Sequence, residues 1–153
     1  MFELRDITRD DLPAISALGI RSKASWGYPE EMMRVFREEL TINEAEFDSL
    51  LVAKLAERDG ATAGYFSLKA KPGNGIELEH LFVEPEQFEK GVGTRLLAEA
   101  VSCAVKLGHR ELTLIADPFA ESFYTKHGAE VIGQHASTDI PGRFIPIMRM
   151  ALS

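Results

Sequence analysis

The sequence predicts an α/β (α+β) domain in which a mixed sheet carries helices on its faces. Apolar residues recur with the two-residue period of strands in some segments and the 3.6-residue period of helices in others. The elements follow in the order β, α, α, β, β, β, α, β, α, β, β. A mixed sheet with helices on its faces is the simplest packing of elements in this order. We therefore expect about seven strands in one sheet.

The first half of the chain contributes a strand, two helices and a hairpin. Residues 2–7 alternate as a strand does. Thr8 and Asp11 then resemble a capping box before a helix over residues 12–20, and Pro13 falls in its first turn, where a missing N–H matters least. After a loop over residues 21–27, residues 29–40 carry the apolar spacing of a second helix. Two strands, residues 50–56 and 61–69, flank the turn signal Arg58-Asp59-Gly60.

The second half alternates strands with helices. A turn at residues 72–75 precedes a strand over residues 76–83. The long helix over residues 91–107 is expected to end at Gly108, which stands in the usual C′ position. A short apolar strand, 112–116, a helix, 117–126, and two closing strands, 131–134 and 145–152, complete the chain.

Composition excludes several classes of function. The 153 residues have a net charge of −7, which argues against broad binding to nucleic acid or to an anionic membrane. No apolar run approaches the ~20 residues that span a bilayer, and the first residues lack a signal-peptide pattern. The lone Cys103 permits no internal disulfide. We therefore expect a cytoplasmic protein with one domain over residues 1–153.

The most informative segment runs from a strand through two glycines into a helix. Gly91 and Gly93 stand one residue apart at the predicted helix start, where free N–H groups and the helix dipole favour a phosphate. The run lacks the Lys-Ser/Thr end of a Walker A loop. A dinucleotide fingerprint would need a third glycine where Leu96 stands. A flexible helix entry without a ligand is the remaining alternative.

This segment resembles the central motif of the GNAT superfamily of acyl-CoA-dependent N-acetyltransferases. That motif is a hydrophobic strand followed by [QR]-x-x-G-x-[GA] at a helix start, and this chain has Phe88-Glu89-Lys90-Gly91-Val92-Gly93. Phe88 replaces the usual Gln or Arg, and Gln87 lies one residue earlier. The resemblance implies a mainly antiparallel sheet with splayed central strands. It also implies acetyl-CoA as co-substrate, its pyrophosphate bound by the N–H groups of residues 89–94, and no metal.

A second segment, residues 117–129, resembles the other signature of the superfamily, a helix bearing Phe-Tyr and then a Lys-x-Gly turn. By that resemblance Tyr124 is the candidate general acid that protonates the departing thiolate. A phenol of pKa about 10 can donate to a thiolate whose conjugate acid has a pKa of about 8.5 when the two are adjacent. The alternative is a packing residue with its hydroxyl at the rim.

The strand over residues 76–83 supplies the candidate base. The amine must lose a proton, and Glu77 and Glu79 are the candidates, acting directly or through water; solvated edge carboxylates are the alternative. Uninterrupted alternation predicts that both share a face with Leu81 and Val83, and that His80 is a structural residue on the opposite face. The resemblance further implies that the pantetheine arm pairs with this strand and that the Val83 N–H binds the thioester oxygen.

The acceptor site is less clearly marked. Trp26 and Tyr28 could form an aromatic wall, although a hydrophobic plug under a loop is equally compatible. Arg143 could bind an acceptor carboxylate, with a surface or dimer salt bridge as the alternative. The remaining assignments follow from the resemblance: acetyl-CoA would contact Leu81, Phe82, Val83, Phe88, Glu89, Lys90, Gly91, Val92, Gly93, Thr94, Asp117, Phe119, Ala120, Phe123, Tyr124 and Lys126.

The function implied by this resemblance is acetyl transfer to a primary amine, by direct attack in a ternary complex. The partner would be a small-molecule or peptide amine, with no nucleic acid or membrane, and a homodimer is compatible with the sequence. Two alternatives stay open: a non-catalytic acyl-CoA-binding or sensing domain, and a nucleotide-binding module that uses the same loop.

Overall fold

The computed structural model describes residues 2–153, which form one seven-stranded sheet with helices on both faces. The strands lie in the order β1-β2-β3-β4-β5-β7-β6. Their bounds are β1 Glu3–Asp6, β2 Leu50–Arg58, β3 Ala61–Lys71, β4 Gly75–Val83, β5 Glu111–Ile115, β6 Glu130–Ala136 and β7 Phe144–Ala151. The helices are α1 Leu12–Ala24, α2 Glu30–Leu40, α3 Glu44–Ser49, α4 Val92–Lys106 and α5 Glu121–Lys126.

All neighbouring strands are antiparallel except β4 and β5, which are parallel. This confirms the predicted mixed, mainly antiparallel sheet of about seven strands. The β4–β5 crossover passes through α4, as a parallel connection requires. Within residues 2–153, no helix is long and apolar enough to cross a lipid bilayer.

The core is divided by the sheet into two main layers. Successive residues of a strand face opposite sides, so Phe66 packs under α4 and Tyr65 packs with Leu18 of α1 on the other face. The α4 layer contains Leu96 and extends to Tyr124 of α5. A third, smaller cluster lies around α2. Helices on both faces were therefore predicted correctly.

The predicted elements differ from the structure at two helices: one is longer than predicted and one was not predicted. Helix α1 continues to Ala24, so most of the predicted loop over residues 21–27 is helical. Helix α3 was not predicted, although Asn43 caps it by accepting a hydrogen bond from the Glu46 N–H at 2.8 Å. The predicted helix end at Gly108 is confirmed, because this residue has φ +91° and its N–H bonds to the Val105 carbonyl.

Candidate active site

Two cavities meet where the central strands separate. The larger, about 910 Å³, runs from the start of α4 to α5, and the smaller, about 420 Å³, lies between α1, α2 and the ends of β4 and β5. Four residues line both cavities: Trp26, Leu81, Ala120 and Tyr124. A ligand in one cavity can therefore meet a ligand in the other beside these side chains.

The junction opens because β4 and β5 pair over only a short distance. Their register joins Glu77 to Thr113 and Leu78 to Leu114 and ends there. On its other edge β4 stays paired with β3 as far as Val83. From Glu79 onward the edge of β4 that faces β5 therefore has free backbone groups, as predicted for splayed central strands.

Strand alternation fixes which N–H groups this free edge presents. The Glu84 N–H bonds to the Ala63 carbonyl of β3 at 2.8 Å. Every second N–H of a strand points to the same side. The N–H groups of Leu81 and Val83 are therefore directed away from β3 and into the gap between β4 and β5.

The start of α4 has the backbone geometry of an anion cradle. Gly91 precedes the helix with φ +86°, a left-handed conformation that glycine adopts readily, and Glu89 also has a positive φ of 63°. The Arg95 N–H bonds to the Gly91 carbonyl at 3.0 Å. The N–H groups of residues 92–94 lie before that first helical bond, so they have no helical acceptor and carry the positive end of the dipole.

Side chains around this cradle leave room for a ligand. At Gly93 a Cβ atom would lie 3.3 Å from the Phe123 Cζ, so a larger residue would press on the wall of the larger cavity. Gln87 also lines this cavity, and its buried Oε1 has no hydrogen-bond partner within residues 2–153. Lys126 contributes a cation to the wall.

Tyr124 lies at the junction of the two cavities. It is 6% exposed and packs edge-on against Phe123, with the ring centroids 5.1 Å apart. Burial raises the pKa of its phenol above the ordinary value, so the hydroxyl keeps its proton at neutral pH. The geometry thus provides a protonated oxygen where the two cavities meet.

The predicted facing of β4 is wrong before residue 80, because the strand contains a β-bulge. Ser67 pairs with His80 while its neighbour Leu68 pairs with Leu78, so Glu79 is an extra residue. The bulge shifts the alternation by one position. Glu77 therefore shares the face of His80, opposite to Leu81 and Val83.

Glu77 and Glu79 differ in their position relative to the cavities. Glu79 lines the smaller cavity, and Glu77 lines neither. Both carboxylates contact the Lys69 ammonium, at 2.5 Å from Glu79 and 3.5 Å from Glu77. Glu79 is thus the one of these two candidates that a bound acceptor could reach.

Of the three residues predicted to bind the acceptor, one lines the cavities and two do not. Trp26 lines both cavities and stacks on Phe119 at 5.8 Å between ring centroids. Tyr28 donates a hydrogen bond to Asp117 at 2.8 Å, and Arg143 donates to the Tyr28 hydroxyl at 3.0 Å. Burial, followed by the bond to Asp117, raises the pKa of Tyr28 to about 12. Tyr28 and Arg143 line neither cavity.

Most residues predicted to contact acetyl-CoA line the larger cavity. These are Leu81, Val83, Phe88, Glu89, Gly91, Gly93, Thr94, Phe119, Ala120, Phe123, Tyr124 and Lys126. Phe82 and Asp117 line the smaller cavity instead. Val92 is buried in the core, and Lys90 is exposed outside both cavities.

Several wall residues were not predicted. The larger cavity includes Ser22 and His127, and the smaller includes Lys23, Glu39, His80 and His135. Ser22 and Lys23 were placed in a loop, so the helical face that carries them was not recognised. His127 accompanied the predicted Phe-Tyr helix, and its Nε2 lies 3.2 Å from the Thr94 hydroxyl at the cradle.

Comparison with known proteins points to one family. The family model described as "Acetyltransferase (GNAT) domain" matches residues 27–151. A structure of the PaiA N-acetyltransferase from Thermoplasma acidophilum in complex with coenzyme A aligns with a TM-score of 0.80. The alignment covers 99% of both chains at 25% identity. A GCN5-related N-acetyltransferase from Rhodopseudomonas palustris has a TM-score of 0.82 at 23% identity, over 98% of this chain and 95% of that one, and supports the fold.

Curated relatives share part of the chain. A mycothiol acetyltransferase from Clavibacter sepedonicus is 36% identical over 118 residues, or 74% of this chain and 37% of the relative. The counterpart from Clavibacter michiganensis is 33% identical over 116 residues, with the same coverage. The matched region thus spans little more than a third of these relatives.

Proposed function

This chain belongs to the GNAT acetyltransferase family, and from that premise we propose that it transfers an acetyl group from acetyl-CoA to a primary amine. The transfer is direct, within a ternary complex. The observation that carries the proposal is the meeting of two cavities beside Tyr124 and the free edge of β4. The donor occupies the larger cavity and the acceptor the smaller.

The residues present fit coenzyme A. The free N–H groups of residues 92–94, the left-handed Gly91 and the absent side chain at Gly93 leave space and positive potential for a pyrophosphate. The unpaired Oε1 of Gln87 can accept a hydrogen bond from an amide or hydroxyl of the ligand. The free edge of β4 can pair with the two amides of a pantetheine arm, as an added strand would. The twelve predicted acetyl-CoA contacts that line the larger cavity remain part of this proposal.

Two groups act on the thioester. The Val83 N–H, directed into the gap, binds the carbonyl oxygen and stabilises the negative charge that develops on it. Tyr124 donates its phenolic proton to the departing sulfur. Cys103 does not serve as a nucleophile, because its half-buried side chain lies on α4 and lines neither cavity.

The smaller cavity favours an acceptor that arrives as an ammonium ion. Its wall carries the carboxylates of Glu39, Glu79 and Asp117 together with one ammonium, that of Lys23. Lys23 is paired with Asp117 at 2.8 Å, and Lys69 with Glu79 at 2.5 Å. Glu39 is therefore the wall carboxyl group without an ion-pair partner within residues 2–153. The names of the curated relatives support acetyl transfer, and PaiA in complex with coenzyme A supports the donor.

The test compares turnover of acetyl-CoA by the wild type and by Tyr124→Phe across a panel of primary amines. We expect Tyr124→Phe to lower kcat by about 10²-fold, because a positioned acid contributes at least that much. The affinity for CoA, measured by calorimetry, should change little because the ring stays in place. Tyr65→Phe is the matched control. The buried Tyr65 hydroxyl has no hydrogen-bond partner within residues 2–153 and Tyr65 lines neither cavity, while the ring that packs beside His80 is kept, so turnover should stay at the wild-type level.

Ligand-binding measurements on the wild-type protein distinguish the two alternative functions, an acyl-CoA sensor and a nucleotide-binding module. CoA binding without turnover of any amine would favour an acyl-CoA sensor. A nucleotide-binding module would be stabilised by ATP or NAD in thermal-shift measurements, whereas the proposed enzyme should be stabilised by CoA. The proposal fails if acetyl-CoA gives no heat of binding at millimolar concentration with folded protein.

A further inference from the structure

An unassigned histidine lies at the smaller cavity, directly after the bulge on β4. From this residue onward the alternation is regular, so His80 faces the same side as Phe82, and both line the smaller cavity together with Tyr124. His80 is 8% exposed, so the imidazole is nearly buried at the cavity wall. A ligand in this cavity can therefore contact the ring while bulk water has little access to it.

One nitrogen of this imidazole is held by the protein. The Ser67 hydroxyl lies 2.6 Å from His80 Nδ1, and Ser67 is itself 1% exposed. Tyr65 and Phe82 pack beside the ring, with centroids 5.9 and 6.4 Å away. When Nδ1–H donates to the serine oxygen, Nε2 carries the lone pair. The contact thus leaves Nε2 as the nitrogen available to a ligand.

The surroundings keep this imidazole neutral. Burial lowers the pKa of His80 below the ordinary histidine value; Glu79 acts to raise it and Lys69 to lower it further. A neutral imidazole in the buried wall can accept a proton at pH 7. The other charged or titratable groups that face the same cavity are Lys23, Glu39, Asp117, Tyr124 and His135.

The rival carboxylates are less suitable. Lys69 lies 2.5 Å from Glu79 and occupies it as an ion pair, and Glu77 lies outside the cavity wall. A carboxylate paired with a lysine is a weaker base, because the cation stabilises its charged form. Within residues 2–153 the His80 imidazole makes its side-chain hydrogen bond to Ser67, and no cation lies within hydrogen-bond distance of the ring.

We propose that His80, oriented through Nδ1 by Ser67, is the general base of the acetyl transfer, and this inference rests on the function proposed above. Nε2 removes one proton from the acceptor ammonium. The freed nitrogen lone pair attacks the thioester carbon, a C–N bond forms and the C–S bond breaks. Tyr124 gives its proton to sulfur and regains one from the new amide nitrogen. The imidazolium then releases its proton to solvent.

The test is the pH dependence of kcat at saturating substrates. Wild-type kcat should fall as the pH drops through the pKa of His80 in the complex, because the protonated ring cannot accept a proton. His80→Asn keeps an amide beside Ser67 and cannot act as a base at these pH values. In His80→Asn we expect kcat to fall by about 10²-fold and the affinity for CoA to stay unchanged. The decrease of kcat at low pH, here called the acid limb, should disappear.

A second variant tests the positioning role independently of the first. Ser67→Ala keeps the imidazole but removes its hydrogen-bond partner, so kcat should fall by less and the midpoint of the acid limb should shift. His109→Gln, a half-buried histidine that lines neither cavity, is the matched control and should keep the wild-type profile.

The outcomes separate this inference from the proposed function. If folded His80→Asn keeps kcat and its acid limb while Glu79→Gln loses that limb, the base is the carboxylate and the inference is overturned. An unshifted limb in Ser67→Ala would overturn the positioning role. Absence of turnover by the wild type with every amine would instead overturn the proposed function.

Discussion

At the scale of single residues, Asp11 shows how a short sequence pattern stabilises the first turn. Its carboxylate accepts the Thr8 N–H at 2.8 Å and two guanidinium hydrogen bonds from Arg5, at 2.8 and 2.9 Å. The predicted capping pair of Thr8 and Asp11 is thus present. Arg5 adds hydrogen bonds to Asp11 that the capping-box pattern does not include. The Arg5 guanidinium, more than any other group, lowers the pKa of Asp11 to about 2.

This lowered pKa predicts a stability contribution that depends on pH. The contribution is fully present above the unfolded pKa, about 3.9, and is lost as the pH falls through the folded value of about 2. The Arg5 side chain is 40% exposed, so screening limits the effect to about 1 kcal/mol at pH 7. Asp11→Asn should lower the free energy of urea unfolding by that amount at pH 7, and the two proteins should converge only below pH 2. A difference that persists there would contradict the electrostatic explanation.

At the scale of elements, the loop into α4 depends on one left-handed residue. Gly91 has φ +86°, and a Cβ atom there would meet nothing within 4 Å, so a substitution acts through backbone strain alone. Gly60 in the β2–β3 turn is equivalent in both respects, with φ +78° and open space around it. The two positions therefore form a matched pair, one beside the cradle and one distant from it in the chain.

We expect Gly91→Ala and Gly60→Ala to lower the free energy of unfolding by a similar 1–2 kcal/mol, roughly the price of a left-handed non-glycine residue. Only Gly91→Ala should weaken CoA binding, by about tenfold, because strain relief there moves the N–H groups of the cradle. Calorimetric titration with CoA measures the difference. Equal affinities in both variants would show that the cradle does not depend on this backbone conformation.

The sequence predicted those features of the elements that depend on local patterns. The glycine loop, the end of α4 at Gly108 and the placement of Tyr124 on a helix all follow from residues adjacent in the chain. The bulge at Glu79 was not predicted, because it is defined by pairing with Ser67 and Leu68 of another strand. Uninterrupted alternation therefore placed Glu77 and His80 on opposite faces of β4, whereas in the structure they share a face.

At the scale of the whole molecule, a buried charge network joins elements that are far apart in sequence. Asp117, at the end of β5, accepts from Tyr28 and contacts Lys23 of α1 at 2.8 Å and Arg143 at 3.5 Å. Both cations also lie over the Phe36 ring of α2, at 4.4 and 4.9 Å from its centroid. No local pattern could predict a contact between residues 115 positions apart, such as Tyr28 and Arg143. This network forms one wall of the smaller cavity, which Lys23 and Asp117 line.

The network predicts strong coupling between its members. Side chains of Lys23, Asp117 and Arg143 are only 12%, 7% and 13% exposed. Asp117→Asn would leave two buried cations without their carboxylate, and burial already lowers the pKa of Lys23 despite that partner. We expect the free energy of urea unfolding to fall by about 3 kcal/mol or more. Asp48→Asn, which breaks the exposed Arg9 pair, should cost less than about 1 kcal/mol.

Removing one of the stranded cations should restore part of the loss. In the double variant Lys23→Met/Asp117→Asn, a thioether replaces the unpaired ammonium over the Phe36 ring, so at least about 1 kcal/mol should return relative to Asp117→Asn alone. Unfolding of the wild type, both single variants and the double variant completes the cycle. Strict additivity would mean that Lys23 and Asp117 are energetically independent, and that the wall of the smaller cavity is stabilised by packing rather than by charge.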